Sequence, residues 1–146
     1  MANERHLNLV EPVTTLVDSC VLLDVLTGDP QWGEWSAQAI ATAEVEGELV
    51  INPLIYAEVS AGYQQVEEVD AALPANLFRR EPLPYEAGFL AAKAFLAYRK
   101  RGGTKTAPLP DFFIGAHAAV ARHRVITRDV ARFRTYFPSL ELVTPQ

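Results

Sequence analysis

Four carboxylate residues stand where apolar stretches of the chain end or begin, or inside one of them: Asp18, Glu58, Asp111 and Asp129. If they converge in the fold they repel one another, because like charges a few ångströms apart cannot all stay ionised without a cation. An all-oxygen set without cysteine or paired histidines favours a hard ion, so Mg²⁺ or Mn²⁺ fits better than Zn²⁺. Such an ion activates water and neutralises charge that develops on a phosphoryl oxygen.

The three aspartates also have a simpler structural explanation, since each stands where a helix would begin. A side-chain oxygen at a helix N-terminus accepts a hydrogen bond from an orphan backbone N–H and complements the helix dipole. Asp111, in the stretch PDFFIGAHA, fits this capping explanation as well as Asp18 and Asp129 do. The two explanations are compatible, because a carboxylate that caps through one oxygen keeps a second oxygen for a metal ion.

Glu58 is not explained by capping, because it lies in the middle of the predicted helix PLIYAEVSAGY. Leu54, Ile55, Ala61 and Gly62 would share one apolar face of that helix, and Glu58 falls within this face. Burial of an unpaired carboxylate is costly, so Glu58 needs a basic partner, a proton or a metal ion. The alternatives are a salt bridge to an arginine, or exposure to solvent if the face is drawn wrongly.

Short apolar and β-branched stretches alternate with helical patterns along the chain. Strands are predicted over 14–19, 48–52, 78–83, 124–129 and 140–143, with helices over 20–26, 32–47, 53–63, 65–77, 85–103, 110–118 and 130–137. This alternation predicts an α/β fold with a mostly parallel five-stranded sheet flanked by helices on both faces. Sites in such sheets form at the carboxyl ends of strands, where Asp18 and Asp129 are expected.

Charge is divided unevenly along the sequence, although the net charge is only −5. Residues 1–78 carry 13 acidic side chains and one basic one, whereas residues 79–134 carry 12 basic and four acidic ones. An acidic total argues against indiscriminate coating of nucleic acid, but a concentrated basic segment can still hold a phosphate backbone. This basic segment consists of Arg99, Lys100, Arg101 and Lys105. The alternative is a solvated helix end whose cations complement the helix dipole.

The chain has 146 residues, 49% of them apolar, which suffices for one domain with its own core. We expect a single domain over 1–146, with residues 1–13 as a flexible or partner-contacting extension. The sequence contains neither an apolar run long enough to span a bilayer nor the apolar core of a signal peptide, which predicts a cytoplasmic protein. The single cysteine, Cys20, has apolar neighbours that predict a buried, unreactive thiol.

Four short motifs together give the sequence a family resemblance. They are LVDSCVLLD around Asp18, INPLIYAEV around Glu58, LPDFFIGAHA around Asp111 and ITRDVARFRTYFP around Asp129. Each motif is weak alone, but all four in this order and spacing are specific. The sequence resembles PIN-domain ribonucleases, in particular the VapC-type toxins of bacterial toxin–antitoxin pairs, from about Thr15 to Val143.

The resemblance implies a three-layer PIN-like fold and a Mg²⁺- or Mn²⁺-dependent endoribonuclease. In this family the four matching acidic residues hold the metal, and the hydroxyl residue that corresponds to Thr127 lies beside it. Products carry a 5′-phosphate and a 3′-hydroxyl, and the enzyme is a homodimer silenced by a small antitoxin protein. The first motif often has a polar residue where this chain has Cys20, so any role of this turn beyond Asp18, including that of Ser19, stays open.

Two other functions fit the same residues. One is a PIN-like nuclease for RNA processing that has no antitoxin, and the other is a PIN-like module that binds RNA or protein without cutting. The intact carboxylate set argues against the second. The family shares its metal site across different targets, so the sequence does not identify the RNA. Of the remaining residues, His117 is predicted to be a packed histidine with one hydrogen bond, and Trp32 and Trp35 to cover the core or a dimer contact.

Overall fold

The computed structural model describes residues 11–106 and 109–145, and within them a parallel five-stranded sheet forms the centre of the molecule. The strands are β1 (Thr15–Val17), β2 (Leu49–Ile51), β3 (Phe78–Arg80), β4 (Arg124–Ile126) and β5 (Leu142–Val143). Their order is β3-β2-β1-β4-β5, and every neighbouring pair is parallel. The predicted α/β fold is therefore confirmed. Residues 1–10 of the predicted extension lie outside the described residues.

Helices connect the strands and cover the sheet. They are α1 (Ser19–Leu26), α2 (Gly33–Glu46), α3 (Pro53–Ser60), α4 (Val66–Ala72), α5 (Tyr85–Lys100), α6 (Pro110–Ala121) and α7 (Val130–Tyr136). The starts of α3 and α6 follow local chemistry, because Pro53 and Pro110 occupy first-turn positions where no backbone donor is needed. No helix in the described parts of the chain is both long and apolar enough to cross a membrane.

The core lies on both faces of the sheet, as the continuous apolar strands predict. Leu16, Val17, Val50, Val125 and Ile126 are fully buried. The strands have only two or three residues each and are shorter than the predicted stretches, because the chain turns into a helix or loop as soon as it leaves the sheet. Each polar residue that follows a strand therefore lies directly at the sheet's edge.

The apolar face predicted for α3 is wrong, and the end of the helix explains the error. The helix stops at Ser60, so Ala61 and Gly62 lie beyond it and are exposed. The side chains that α3 buries are Ile55 and Val59. Glu58 is half-buried beside this face rather than in its middle. Burial among apolar side chains is therefore not a reason for Glu58 to need a partner.

Candidate functional site

Asp18 lies at the carboxyl end of β1, as predicted, and its side chain is almost completely buried. It occupies the N-cap position of α1, where its Oδ1 accepts a hydrogen bond from the backbone N–H of Ser19 at 2.8 Å. Its Oδ2 accepts a second hydrogen bond from Thr127 Oγ1 at 2.7 Å. Burial raises the pKa of Asp18, although the bonds from Thr127 and Ser19 oppose that rise. Asp18 thus caps a helix and also points into the site.

Thr127 links the carboxyl ends of the neighbouring strands β1 and β4. It follows β4 directly and is fully buried. Its hydroxyl donates to Asp18 and accepts a hydrogen bond from the backbone N–H of Asp129 at 2.9 Å. One hydroxyl group therefore fixes the Asp18 carboxylate and the backbone from which Asp129 extends, and it lies beside the carboxylates as the resemblance implies.

Glu58 approaches Asp18 from α3 through a serine. The hydroxyl of Ser19 donates to Glu58 Oε1 at 2.6 Å, while the backbone N–H of the same residue binds Asp18. The negative charge of Glu58 adds to the rise in the pKa of Asp18, after the larger effect of burial. Ser19, whose role the sequence left open, therefore connects two carboxylates that extend from different elements.

Asp111 and Asp129 complete the group, and neither makes a capping bond. Leu109 is the N-cap residue of α6, so the capping explanation for Asp111 is wrong; Asp111 lies one residue inside the helix. Asp129 occupies the N-cap position of α7, but its side chain accepts no capping hydrogen bond from the described residues. Burial raises the pKa of Asp111 to about 7, with further contributions from Asp129 and from the charge of Asp18.

One cation at this site, Arg132, was not predicted from the sequence. Arg132 Nε lies 3.4 Å from Asp111 Oδ2 and 4.0 Å from Asp129 Oδ2. Its position three residues after Asp129 on α7 is a helical spacing, and this spacing was the signal that could have identified it. The described structure thus gathers all four predicted carboxylates around one edge of the sheet, together with Thr127, Ser19 and Arg132. We refer to the four acidic residues as the carboxylate cluster.

The carboxylate cluster has the donor chemistry that a hard divalent cation requires. Its ligand atoms are all oxygens, and burial, with a smaller effect of neighbouring carboxylates, raises the pKa of Asp18 and of Asp111. Among the described residues, no three carboxylates of the cluster bring ligand atoms within 4.8 Å of one another. The group of three side chains that does so is a different one.

That tighter group consists of Glu81, His117 and His123. Both histidine Nε2 atoms lie 2.7 Å from Glu81 Oε1. His117 Nδ1 lies 3.0 Å from the side-chain amide nitrogen of Asn52. His117 is packed as predicted, but it has two hydrogen-bond partners rather than one. We refer to these four residues as the histidine network.

The amide of Asn52 determines the tautomer of His117. Asn52 Oδ1 accepts the N-cap hydrogen bond from Ile55 at 2.9 Å, so its amide nitrogen must face His117 and donate to Nδ1. The proton of His117 then resides on Nε2, which donates to Glu81. A protonated Nε2 has no lone pair for a metal ion, and the opposite tautomer would place two donors against each other. The histidine network is therefore better suited to hydrogen bonding than to metal binding.

The histidine network predicts that the protein loses stability in mild acid. Burial lowers the pKa of His117 below its usual 6.5, although the bond to Glu81 opposes this effect. Between the two pKa values the unfolded chain binds more protons, so the free energy of unfolding falls as pH decreases below about 6.5. His117→Gln should flatten this slope in urea unfolding measured at a series of pH values. Glu81 affects the free energy of unfolding only at lower pH. Burial favours a higher pKa for this group, but hydrogen bonds from both histidines lower it. Parallel pH profiles for the wild type and the variant would contradict the prediction.

An ion pair between Arg128 and the buried Asp24 supports the loop that carries Asp129. Arg128 donates to both carboxylate oxygens of the buried Asp24, at 2.7 and 2.9 Å, and its guanidinium lies 5.2 Å from the Trp32 ring. Trp32 is thus a stacking partner of an arginine, whereas Trp35 packs against the core as predicted.

The half-buried Cys20 has a pKa raised to about 12, chiefly by burial and next by the charge of Asp18, which agrees with an unreactive thiol.

The predicted basic segment lies at the carboxyl end of α5 and is exposed. Arg99 donates to the backbone oxygen of Lys105 at 2.6 Å, which folds the segment back on itself. The guanidinium of Arg101 lies 5.9 Å from the ring of Tyr136. Tyr136 belongs to an aromatic cluster with Tyr98 and Phe112, whose ring centroids are 5.2 to 6.5 Å apart.

Comparison with known proteins gives a family and a fold. The family model of the PIN domain matches residues 15–137. No curated protein matches the sequence. A structure of VapBC2 from Rickettsia felis bound to promoter DNA is 12% identical, covering 90% of this chain and 98% of that chain, with a TM-score of 0.70.

Two other solved structures are similar over the same extent. VapBC-1 from nontypeable Haemophilus influenzae is 18% identical with a TM-score of 0.69, covering 90% of this chain and 98% of that chain. A toxin–antitoxin complex from Klebsiella pneumoniae is 22% identical with a TM-score of 0.67 and the same coverage. At these identities the likeness concerns the fold, and almost the full length of each matched chain is represented here.

Proposed function

This chain belongs to the PIN domain family, and from that membership we propose that it is a Mg²⁺- or Mn²⁺-dependent endoribonuclease, the toxin of a VapBC-type pair. The observation that carries the proposal is the approach of Asp18, Glu58, Asp111 and Asp129 to one another at the carboxyl edge of β1 and β4. The raised pKa of Asp111 supports it, because a buried acidic group beside other carboxylates lacks a sufficient counter-charge.

In this proposal the carboxylate cluster holds the metal ion, which when bound activates water and neutralises charge on the phosphoryl oxygens. Asp18, Glu58, Asp111 and Asp129 would hold it directly or through water. Thr127 and Ser19 hold the carboxylates in position, since each hydroxyl donates a hydrogen bond to a carboxylate of the cluster. Asp111 must give up any proton it carries before it can serve as a ligand.

A small antitoxin is the proposed protein partner. The three similar structures are described as VapBC or toxin–antitoxin complexes. On this chain, a groove of about 370 Å³ is lined mainly by apolar side chains of α1, α2 and the segment from α4 to β3. Leu22, Leu26 and Ile40 are among them. An amphipathic segment of an antitoxin would fit such a groove through its apolar side chains.

A homodimer and a cytoplasmic location are part of the same proposal. Exposed apolar side chains follow one another along α5, with Tyr85, Phe89 and Leu96 at 98%, 64% and 53% relative exposure. Contiguous exposed apolar residues on one helix are typical of an interface, and a second copy of the chain could cover them. A ribonuclease that acts on cellular RNA must share a compartment with its substrate, which favours the cytoplasm.

The proposed function is tested by brief expression of the protein in bacteria, followed by sequencing of RNA 5′ ends. New ends that carry a 5′-phosphate, absent when an Asp18→Asn variant is expressed, would support an endoribonuclease and identify its target. Co-expression of the product of an adjacent small reading frame should suppress the cleavage if the protein is a toxin. Cleavage that no neighbouring gene suppresses would favour the RNA-processing nuclease, and unchanged RNA would favour the binding module.

The basic segment is predicted to contact the phosphate backbone of RNA. Replacing Arg99, Lys100, Arg101 and Lys105 singly by glutamine should weaken RNA binding and flatten its salt dependence. The slope of log K against log salt should change by about 0.7 for each lost contact with single-stranded RNA. Lys93→Gln on the same helix, where the ammonium lies 5.0 Å from the Phe89 ring, is the matched control. If the slopes of the segment's variants equal that of the control, these residues serve only the helix end.

A further inference from the structure

Arg132 lies at the carboxylate cluster without forming a hydrogen bond to it. Charge-assisted N–H···O bonds are usually 2.7 to 2.9 Å long. The separations of Arg132 Nε from Asp111 and Asp129, 3.4 and 4.0 Å, are longer. Its terminal nitrogen Nη1 is buried and has no hydrogen-bond acceptor among the described residues. Buried donors are normally paired, so an unpaired guanidinium nitrogen at this place requires an explanation.

Aromatic rings, rather than hydrogen bonds, keep the guanidinium of Arg132 in place. Its central carbon lies 5.5 Å from the centroid of Phe112 and 5.9 Å from that of Tyr98. Both distances are within the range of cation–π attraction. The rings themselves pack edge to face with Tyr136, so the guanidinium rests on a rigid surface. Arg132 is thereby oriented without a hydrogen bond from its guanidinium to any described residue.

Arg124 and Arg128, at the two ends of β4, are hydrogen-bonded to carboxylates. Arg128 forms two short bonds with Asp24, and Arg124 bonds to Thr15 Oγ1 and Glu46. Arg132 is different because it is held next to the cluster by the aromatic rings and by ion pairs without hydrogen bonds. Its fork of donors matches a phosphate group, which offers two oxygens at the right separation.

Positive charge continues from Arg132 to the basic segment. Arg101 contacts Tyr136 on the aromatic cluster, and Arg132 contacts Tyr98 and Phe112 of the same cluster. The aromatic cluster therefore has the basic segment at one side and the carboxylates at the other. A nucleic-acid backbone that follows the basic segment toward the carboxylates would meet Arg132 next.

We propose that Arg132 is a catalytic residue that binds the phosphate to be cleaved, donating from its guanidinium to a non-bridging oxygen. The proposal rests on the proposed nuclease function and adds a substrate contact to it. Arg132 faces the charges of Asp111 and Asp129. When a bound cation neutralises those charges, the guanidinium donors other than the buried Nη1 are free for the phosphate.

The test compares Arg132→Gln and Arg132→Lys with Arg134→Gln, an exposed arginine of the same helix. Binding of a 5′-labelled, mixed-sequence single-stranded RNA is measured over a range of salt, with Ca²⁺ in place of Mg²⁺ and the RNA checked for intactness. Arg132→Gln should weaken binding several-fold and reduce the salt slope by about 0.7, while Arg134→Gln should leave both unchanged. Arg132→Lys keeps the charge but loses the planar fork, so it should retain the slope and cleave RNA more slowly at saturating RNA.

Thermal melts with and without Mg²⁺ separate this role from a purely structural one. If Arg132→Gln changes the Mg²⁺-induced shift but leaves RNA affinity and salt slope at wild-type values, Arg132 only balances the carboxylates and the proposal is overturned. If Arg132→Gln does not fold, Arg132→Lys decides: wild-type cleavage by that variant contradicts the proposal. Failure of the wild type itself to cut RNA would refute the proposed nuclease function, and the binding comparison would still judge the phosphate contact.

Discussion

Replacing Glu58 by glutamine or Asp111 by asparagine is expected to abolish RNA cleavage without lowering the thermal stability of the metal-free protein. Metal ligation is worth several kcal/mol in the transition state, so the rate should fall by at least about 100-fold. Each change also removes a negative charge from a cluster in which neighbouring carboxylates raise the pKa of Asp111 to about 7, after the larger effect of burial. Repulsion in the folded state is thereby relieved.

Asp111→Asn is informative because Asp111 is not the cap of α6. A loss of activity with unchanged or increased stability is therefore attributable to the cluster rather than to the helix end. Glu86→Gln, in the first turn of α5 and exposed, is the matched control and should behave like the wild type. Normal cleavage by both cluster variants would mean that the carboxylates are structural, and the nuclease function would have to be abandoned.

Removal of divalent cations is expected to have an equally large effect. Cleavage should stop in EDTA and return on addition of Mg²⁺ or Mn²⁺, because the cluster offers only oxygen ligands. Mg²⁺ should also raise the melting temperature of the wild type, since a ligand at 100 times its dissociation constant stabilises the folded state by about 2.7 kcal/mol. The shift should be smaller for Glu58→Gln. Undiminished cleavage in EDTA would exclude the proposed mechanism.

The sheet and the edge at which the site forms could be predicted from sequence because their signals are local. The apolar strands β1 and β4 are short and each is followed at once by a polar residue. In a parallel sheet the carboxyl ends of neighbouring strands meet at one edge, so Asp18 and Thr127 had to lie close together. The hydrogen bond between them, at 2.7 Å, agrees with that expectation.

The details that sequence could not give depend on where helices end and on contacts between distant residues. The face drawn for α3 included Ala61 and Gly62, which lie past the helix end, and so Glu58 was placed among apolar residues instead of beside Ser19. For Asp111, capping of α6 was the alternative to a metal site, but the N-cap position belongs to Leu109, two residues earlier. Differences of one or two residues decide which atoms meet, and propensities do not fix them.

The contacts of Arg132 and of the histidine network were beyond sequence reasoning for another reason. Glu81 and His117 are 36 positions apart, and their bond depends on how α6 packs over the sheet. Arg132 is adjacent to Asp129 by helical spacing, but its seat on Phe112 and Tyr98 joins three helices. Only the packed fold shows that Arg132 is held beside the carboxylates with a buried donor that has no partner among the described residues.

The proposal that the carboxylate cluster is a metal site is tested by the anomalous scattering of Mn²⁺ in crystals grown or soaked with that ion. We expect an anomalous peak between the carboxylates of Asp18 and Asp111, within ligand distance of Asp129 or its bound water. The Asp111→Asn variant should lose or weaken the peak. A peak at Glu81, His117 and His123 instead, or none at the carboxylate cluster at saturating Mn²⁺, would contradict it.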